Sequence, residues 1–298
     1  MTTMKKLTFT SIAAILLLAA CHQPTPQEES FQTLPIHMLK GKSCFEIKAL
    51  EKLPLLDDVY LDVENEFTLA WPDISGFSPQ VRAELSMMAF GDSTSTTLQE
   101  AGRHFLSRTW VEDDELFPQG DALQRRKLDS VRFFPHNYAT VKGEVRQDGN
   151  LLHFSVNDEH NVAYAAHGTY GYSTLIVDRA TDRIVRLCDL MDTTDLGRLL
   201  LRALDEVPSN RENGNTAECI DGEYQHRLPP PDGFTIDSNR TTITAFYNTY
   251  SVQCYACGML FVEMPIAWLE ANATLTPYGK EIFAEPLSHK QRRIVEQK

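Results

Sequence analysis

The second half of the chain alternates apolar and polar residues, which is the pattern of strands that bury one face. The segments NYATVKGEVRQ and LLHFSVNDEH flank the triplet Asp148-Gly149-Asn150. An Asp-Gly pair supplies the positive φ angle that a tight hairpin turn requires. Two more strand patterns follow, AYAAHGTYGYSTLIVD and RIVRLCDLM, with a predicted turn over residues 179–182 between them. The pattern therefore predicts an antiparallel sheet that begins near Tyr138.

Three other segments repeat apolar residues at the spacing of a helix with one buried face. The first has Ser78 as its N-cap and Pro79 at the first helical position, and it closes at Gly91. The second lies between Thr96 and Trp110, and the third is TTDLGRLLLRALDEV after Asp192. Each is predicted to place its apolar side on a sheet.

Further strand patterns lie at both ends of the chain. Residues 43–50 and 59–71 predict two strands before the first helix, the earlier of them alternating only loosely. Near the other end, FTIDS, TTITAFYNTYSV and GMLFVEM predict strands, and a short helix begins at Pro265. Residues 208–232 carry Asn, Gly and three consecutive prolines, and we expect a long loop there.

The first twenty residues form a secretory signal. Lys5 and Lys6 precede an uncharged run that is too short to span a bilayer, and Leu-Ala-Ala then leads to Cys21. This ending is similar to the bacterial lipobox, in which the cysteine is acylated, although an ordinary signal peptide with a cysteine at its end is the alternative. His22, rather than Asp, follows the cysteine, which favours the outer membrane. We therefore expect a lipid anchor at Cys21 and a tether after it.

The charge of the chain limits its partners. The formal net charge is −13, and removal of the two lysines in the signal takes it to −15. Nucleic acid is excluded as a partner, because a nucleic-acid binder needs a basic footprint. A cationic ligand is the natural counterpart of an acidic surface, whereas the alternative is that the charge only keeps an exported protein soluble.

The cysteines leave two interpretations open. Beyond Cys21 the chain has Cys44, Cys188, Cys219, Cys254 and Cys257, an odd number for an oxidising compartment. Cys254 and Cys257 form a C-x-x-C motif, but no second pair follows at zinc-site spacing and the flanks predict strands. Disulfides or buried thiols are therefore favoured over redox or metal chemistry. The consecutive acids at 112–115 lack the spacing of a calcium loop, and neither a metal nor a cofactor is predicted.

The candidate ligand-binding residues are a histidine and several tyrosines. His167 precedes Ser173, but G-Y-S-T-L lacks the second glycine of a nucleophile elbow, so a hydrogen-bonding role for His167 at a strand start is favoured. Tyr170 and Tyr172 fall on one side of a strand. They would form a good face for a glycan or a protein if exposed together with Tyr164, Tyr247, Tyr250 and Tyr255, while the alternative is that these tyrosines pack in the core.

The segments AAHGTYGYSTLIVDRATDRIVRLCDLM and FYNTYSVQCYACGMLFVEMPIAWL are similar to the C-terminal domain of the RsiV anti-sigma factor. That domain also lies beside the catalytic domain of the peptidoglycan deacetylase PdaC. The resemblance covers Tyr138 to Phe283 and implies an α+β fold in which helices pack on an antiparallel sheet outside the cytoplasmic membrane. Cys254 and Cys257 stand where the family has Pro and Ala, so the motif is not a family active site.

These observations predict five regions along the chain. They are a lipoprotein signal peptide (1–20), the lipidated cysteine with a flexible tether (21–42), an N-terminal α+β region (43–135), the RsiV-like domain (136–285) and a polar tail (286–298).

The sequence is compatible with two functions. The first is a non-enzymatic envelope lipoprotein that binds a protein or glycan, such as a cationic muramidase of the lysozyme kind, and it rests on the lipobox, the charge of −15 and the family resemblance. The alternative is an envelope hydrolase that acts on cell-wall glycan at a site near His167. The deacetylase activity of PdaC belongs to its other domain and is not carried over.

Overall fold

The structure is a computed structural model that describes residues 33–48, 60–110, 136–161, 168–215 and 217–284. The predicted signal peptide, Cys21, His167 and the predicted polar tail lie outside the described residues. The elements below all belong to one compact unit, Leu34–Lys298. Among the described residues, no helix combines the length and apolar character needed to cross a membrane.

A six-stranded sheet forms the centre of this unit. Its strands lie side by side in chain order, and every neighbouring pair is antiparallel except β2 with β3, which is parallel. The strands are β1 (Ile36–Lys48), β2 (Tyr60–Pro72), β3 (His136–Asp148), β4 (Leu151–Asn161), β5 (Thr169–Asp178) and β6 (Arg183–Val185). The predicted hairpin is confirmed, and Gly149 in its turn has φ +59°.

The first two predicted helices cover one face of this sheet. Helix α1 (Pro79–Phe90) begins where Ser78 Oγ accepts from the Val81 N–H, and it ends at Gly91 with φ +61°. Helix α2 (Leu98–Leu106) begins at Thr97, whose side chain accepts from the Glu100 N–H. Both predicted helices are confirmed, and their apolar sides pack on Phe67, Leu69 and Phe154 among others.

A second, three-stranded sheet packs on the β3–β5 part of the other face, and the remaining helices contribute to the same core. This antiparallel sheet has the order β7 (Gly233–Ile236), β8 (Thr242–Tyr247), β9 (Leu260–Pro265). The helices are α3 (Leu187–Leu190), α4 (Leu196–Glu206), α5 (Pro208–Glu212), α6 (Ile266–Asn272) and α7 (Pro277–Ala284). The predicted third helix is confirmed as α4.

Three local predictions differ from the structure. The long loop at 208–232 contains α5 and two short 3-10 turns, Ala217–Cys219 and Gly222–Tyr224, because Pro208 suits a first helical position. The strand pattern RIVRLCDLM stays extended only as far as Val185 and then becomes α3. Strand β1 begins at Ile36, inside the predicted tether, because it pairs with β2 along its whole length.

Alternation along β4 and β5 separates two cores. Phe154 and Val177 point toward α1 and α2, whereas Leu151 and Ile176 point toward the second sheet. Strands β4 and β5 therefore bury side chains on both of their faces, and the fold is α+β, as the resemblance implied. Its strands come from both predicted regions, 43–135 and 136–285, with β2 and β3 paired across the boundary.

Candidate functional site

Strand β5 carries its two tyrosines on the face that the second sheet covers, but only one of them is covered. The Tyr172 ring packs on Phe246 at a centroid distance of 4.9 Å, and its N–H donates to Asn248 Oδ1 at 2.8 Å. Tyr170 lies two residues further out and remains 49% exposed. The predicted shared side is correct, although the two rings have different surroundings.

The two tyrosines predicted from the C-terminal segment also differ. Tyr247 on β8 is 0% exposed, and its hydroxyl donates to the Pro229 carbonyl at 2.7 Å. It belongs to the core and does not join the exposed face, because alternation along β8 turns it inward. Tyr250, in the turn that follows β8, is 57% exposed.

Around Tyr170 and Tyr250 the fold assembles a surface that the sequence did not fully predict. The Tyr138 hydroxyl donates to Glu159 Oε1 at 2.7 Å, and Glu159 is the β4 partner of Tyr170. The Tyr250 and Tyr255 rings stack at 5.5 Å, and the Tyr255 hydroxyl lies 3.5 Å from the Gly168 carbonyl oxygen. We call these five side chains the tyrosine surface: Tyr138, Glu159, Tyr170, Tyr250 and Tyr255.

Glu159 sets the electrostatics of the tyrosine surface. Its hydrogen bond to Tyr138 raises the pKa of that phenol to about 12. The charge of Glu159 also raises the pKa of Tyr170, since an ionised phenol beside a carboxylate is unfavourable. Tyr138 and Tyr170 therefore stay protonated as hydrogen-bond donors beside the Glu159 carboxylate. Such a surface suits a ligand with apolar faces, hydroxyls or a positive charge.

The backbone of Tyr250 is strained. Its φ is +69°, a left-handed conformation that costs a residue with a Cβ about 1–2 kcal/mol. Such residues persist only where the surroundings hold them, and they cluster at functional sites. Here the strained turn directs a large aromatic side chain toward solvent.

A cavity of about 290 Å³ lies between the two sheets, beneath Tyr172. Arg146 on β3 lines it and donates to the Ile236 carbonyl. His153 on β4 also lines it and is only 8% exposed, and neither ring nitrogen has a hydrogen-bond partner in the described part of the chain. Burial, followed by the charges of Arg146 and Arg240, lowers the pKa of His153 well below its usual value. The imidazole is therefore neutral.

A buried ion pair lies beside His153 at the β3–β4 turn. Arg240 Nε donates to Asp148 Oδ2 at 3.0 Å, and Nη2 donates to Oδ1 at 3.1 Å. Nη1 donates to the Ile282 carbonyl at 3.2 Å, so the same guanidinium also holds α7. The cavity volume lies at the lower limit of about 300 Å³ for ligand pockets, so the cavity suits only a small ligand and not a protein.

A grouping of Asp92, Ser95 and His104 beside α2 resembles a hydrolytic triad in composition only. Asp92 Oδ2 and Ser95 Oγ lie 2.9 Å and 3.1 Å from the same ring nitrogen, His104 Nδ1. In a working triad the serine contacts Nε2 and the carboxylate contacts Nδ1. Hydrogen bonds from Ser95 and Thr94 lower the pKa of Asp92, whose role is to fix the turn between α1 and α2.

Ser173 lies half-buried within β5, and the hydrolase alternative rests on His167, which lies outside the described residues. In the portion of the chain that the structure describes, no three His, Cys, Asp or Glu side chains are grouped to hold a metal ion. Tyr138 and Glu159 were missed because only the strand register brings them beside Tyr170.

Comparison with known proteins supports the fold. No family model matches the sequence, and no curated protein matches it. The chain is similar to the crystal structure of a DUF3298 family member from Bacteroides fragilis NCTC 9343, with 18% identity, a TM-score of 0.52, and coverage of 85% of this chain and 99% of that one. It is also similar to a DUF3298 family protein from Pseudomonas aeruginosa PAO1, with 15% identity, a TM-score of 0.47, and coverage of 87% and 99%. The Bacteroides fragilis structure shows the shared fold, which is consistent with an RsiV-like domain of unknown function.

Proposed function

We propose that this protein is a non-enzymatic, lipid-anchored lipoprotein of the bacterial cell envelope that binds a cationic protein, such as a muramidase of the lysozyme kind. Cys21 carries the lipid and the outer membrane is its location. The ligand binds at the tyrosine surface. The observation that carries the proposal is the exposure of Tyr170 and Tyr250 beside Glu159, beyond the part of β5 that the second sheet covers.

The chemistry of this surface favours protein recognition. Tyrosine is enriched at interfaces because it buries a large apolar area with few rotatable bonds and still offers a hydroxyl. Stacking against Tyr255 restricts the ring of Tyr250 before any ligand arrives, so less entropy is lost on binding. The rigid pair would act as an anchor for the partner.

Charge favours a cationic partner over a neutral glycan. Glu159 lies between Tyr138 and Tyr170, and the whole chain has a net charge of −13. An acidic surface raises the association rate with a basic protein, and salt screens this attraction. A peptidoglycan ligand would instead stack its sugar rings on the tyrosines and depend little on salt.

The test compares lysozyme with insoluble peptidoglycan, each at low and at physiological salt. We expect the full-length protein in detergent to bind lysozyme, with an affinity that falls as salt rises, and an acidic protein of similar size to remain unbound. Binding to peptidoglycan alone, independent of salt, would support the glycan ligand instead. If neither ligand binds at low salt, the binding function is wrong.

The anchor is tested separately. Cys21→Ala should abolish incorporation of labelled palmitate and move the protein from the membrane fraction to the soluble fraction. Cys44→Ala is the matched control, and it should leave both label and location unchanged. Palmitate label that persists in Cys21→Ala would refute the anchor without affecting the binding proposal.

A further inference from the structure

Two separate chain segments bring three cysteines together. Cys219 ends the 3-10 turn Ala217–Cys219, and Cys254 immediately precedes the 3-10 turn Tyr255–Cys257. An antiparallel bridge joins Ile220 to Gln253, and the Asp221 N–H donates to the Val252 carbonyl at 2.9 Å. In this register Cys219 lies across from Cys254.

The sulfur atoms of this cluster are close enough to react. Cys254 Sγ and Cys257 Sγ lie 3.5 Å apart, in a turn held by the Cys257 N–H donating to the Cys254 carbonyl at 3.0 Å. The Cys219 thiol is the largest cause of the raised pKa of the Cys257 thiol, which places Cys219 beside Cys257. Cys257 therefore has both of the other thiols as neighbours. All three are free thiols, and Cys219 and Cys254 are exposed.

Their acidities differ in the direction that exchange chemistry needs. Hydrogen bonds from the Cys257 thiol and from the Cys257 N–H lower the pKa of Cys254. Hydrogen bonds to Cys219 and Cys254 raise the pKa of Cys257. Only a thiolate attacks a disulfide, so Cys254 is the first nucleophile and Cys257 keeps its proton until the second step.

We propose that Cys219, Cys254 and Cys257 form a thiol–disulfide exchange site for a disulfide-bearing substrate, with Cys257 as the shared partner of the other two. This site is independent of the proposed binding function. The oxidant is the substrate disulfide itself, either of a small molecule such as glutathione disulfide or of another protein.

The exchange balances in two steps. The Cys254 thiolate attacks one sulfur of the substrate disulfide, which forms a mixed disulfide and releases the first substrate thiolate. Cys257 then loses its proton to that thiolate and attacks Cys254 Sγ, which forms the Cys254–Cys257 disulfide and releases the second substrate thiolate. The two cysteines lose two electrons and the substrate gains them. Attack of the Cys219 thiolate on Cys257 Sγ moves the disulfide to Cys219–Cys257 and frees Cys254, with no net redox change.

The experiment uses reduced full-length protein treated with glutathione disulfide, with each cysteine followed by differential alkylation and peptide mass spectrometry. Exposed Cys44 on β1 and Cys188 on α3 are internal controls. We expect Cys254 to react about tenfold faster than either control, because its thiolate fraction is larger. The product should be the Cys254–Cys257 disulfide.

Single variants identify the shared partner. Cys257→Ser should leave Cys254 as a glutathione mixed disulfide, whereas Cys254→Ser should give the Cys219–Cys257 disulfide. Cys188→Ser should behave like the wild type. The proposal is overturned if Cys254 reacts no faster than Cys44 and Cys188. It is also overturned if Cys257→Ser forms a Cys219–Cys254 disulfide as readily as the wild type forms its own.

Discussion

Strands β4 and β5 cross the interface between the two sheets, and its two ends are built differently. At the β3–β4 turn, which we call the closed end, Arg240 and Asp148 pair out of contact with solvent, and His153 lies behind them. At the opposite end, the tyrosine surface carries exposed rings around Glu159. The same pair of strands therefore supplies a fixed core at one end and an accessible face at the other.

The closed end is therefore expected to contribute to stability, and the tyrosine surface to binding. A buried pair that loses one partner leaves a charge without compensation, so the closed end should dominate the free energy of unfolding. Exposed aromatic side chains contribute little to folding, and their ordered presentation is better explained by an interaction. Substitutions at the two ends should therefore affect different measurements.

The largest effect is expected at the ion pair. Arg240→Met should lower the free energy of unfolding by about 3–5 kcal/mol, because it leaves the Asp148 carboxylate buried without its partner. Urea denaturation followed by circular dichroism measures this. Arg202→Met is the matched control, since Arg202 pairs with Glu206 on the exposed side of α4 and should change stability by less than about 0.5 kcal/mol. Equal losses in both variants would contradict a special role for the closed end.

An intermediate effect depends on pH at His153. Burial holds its pKa low in the folded state, so the folded protein excludes a proton that the unfolded chain takes up below about pH 6.5. The free energy of unfolding should therefore fall as pH decreases from about 6.5 to 5, by at most about 1.4 kcal/mol per pH unit from this group. His153→Leu should remove this part of the slope.

At pH 7 we expect His153→Leu to be neutral or stabilising, because the two ring nitrogens have no hydrogen-bond partners to lose within the described structure. The exposed His37→Leu serves as control and should keep the wild-type slope between pH 6.5 and 5. An unchanged slope in His153→Leu would show that the imidazole is not held neutral.

The smallest effect on stability is expected at Tyr250. Tyr250→Gly relieves a left-handed backbone that costs about 1–2 kcal/mol, although glycine adds entropy to the unfolded chain and the stacking with Tyr255 is lost. The net change in the free energy of unfolding should lie within about 1 kcal/mol of zero. If thermal unfolding shows that the free energy of unfolding falls by more than about 2 kcal/mol, Tyr250 stabilises the fold and is not simply exposed for binding.

The sequence predicts the strands and helices around this interface better than it predicts the contacts at the two ends of the interface. The hairpin at Gly149 and the helix from Ser78 to Gly91 followed from local rules, since a cap or a positive φ needs particular residues. Alternation also placed Tyr170 and Tyr172 on one side of β5. Alternation could not show that the second sheet covers Tyr172 and leaves Tyr170 exposed, because this depends on the contact of Tyr172 with Phe246, far along the chain.

The ends themselves depend on long-range register. Arg240 lies between two predicted strands, FTIDS and TTITAFYNTYSV, yet it joins Asp148 and Ile282 from distant elements. Glu159 meets Tyr138 through the pairing of β3 with β4, and no local pattern marks that contact. The C-x-x-C motif is visible in the sequence. The proximity of Cys219 to that motif is not, because it depends on the bridge between Ile220 and Gln253.

The most direct test of the tyrosine surface as the binding site is the affinity for lysozyme of the double variant Tyr170→Ala/Tyr250→Ala, measured by titration calorimetry at low salt. Met87→Ala is the matched control, because Met87 is 54% exposed on α1, which covers the opposite face of the sheet. Interface tyrosines each contribute about 1–2 kcal/mol, so the double variant should bind at least about tenfold more weakly, while the control binds like the wild type and both unfold like it. Wild-type affinity in the double variant would contradict the tyrosine surface as the binding site.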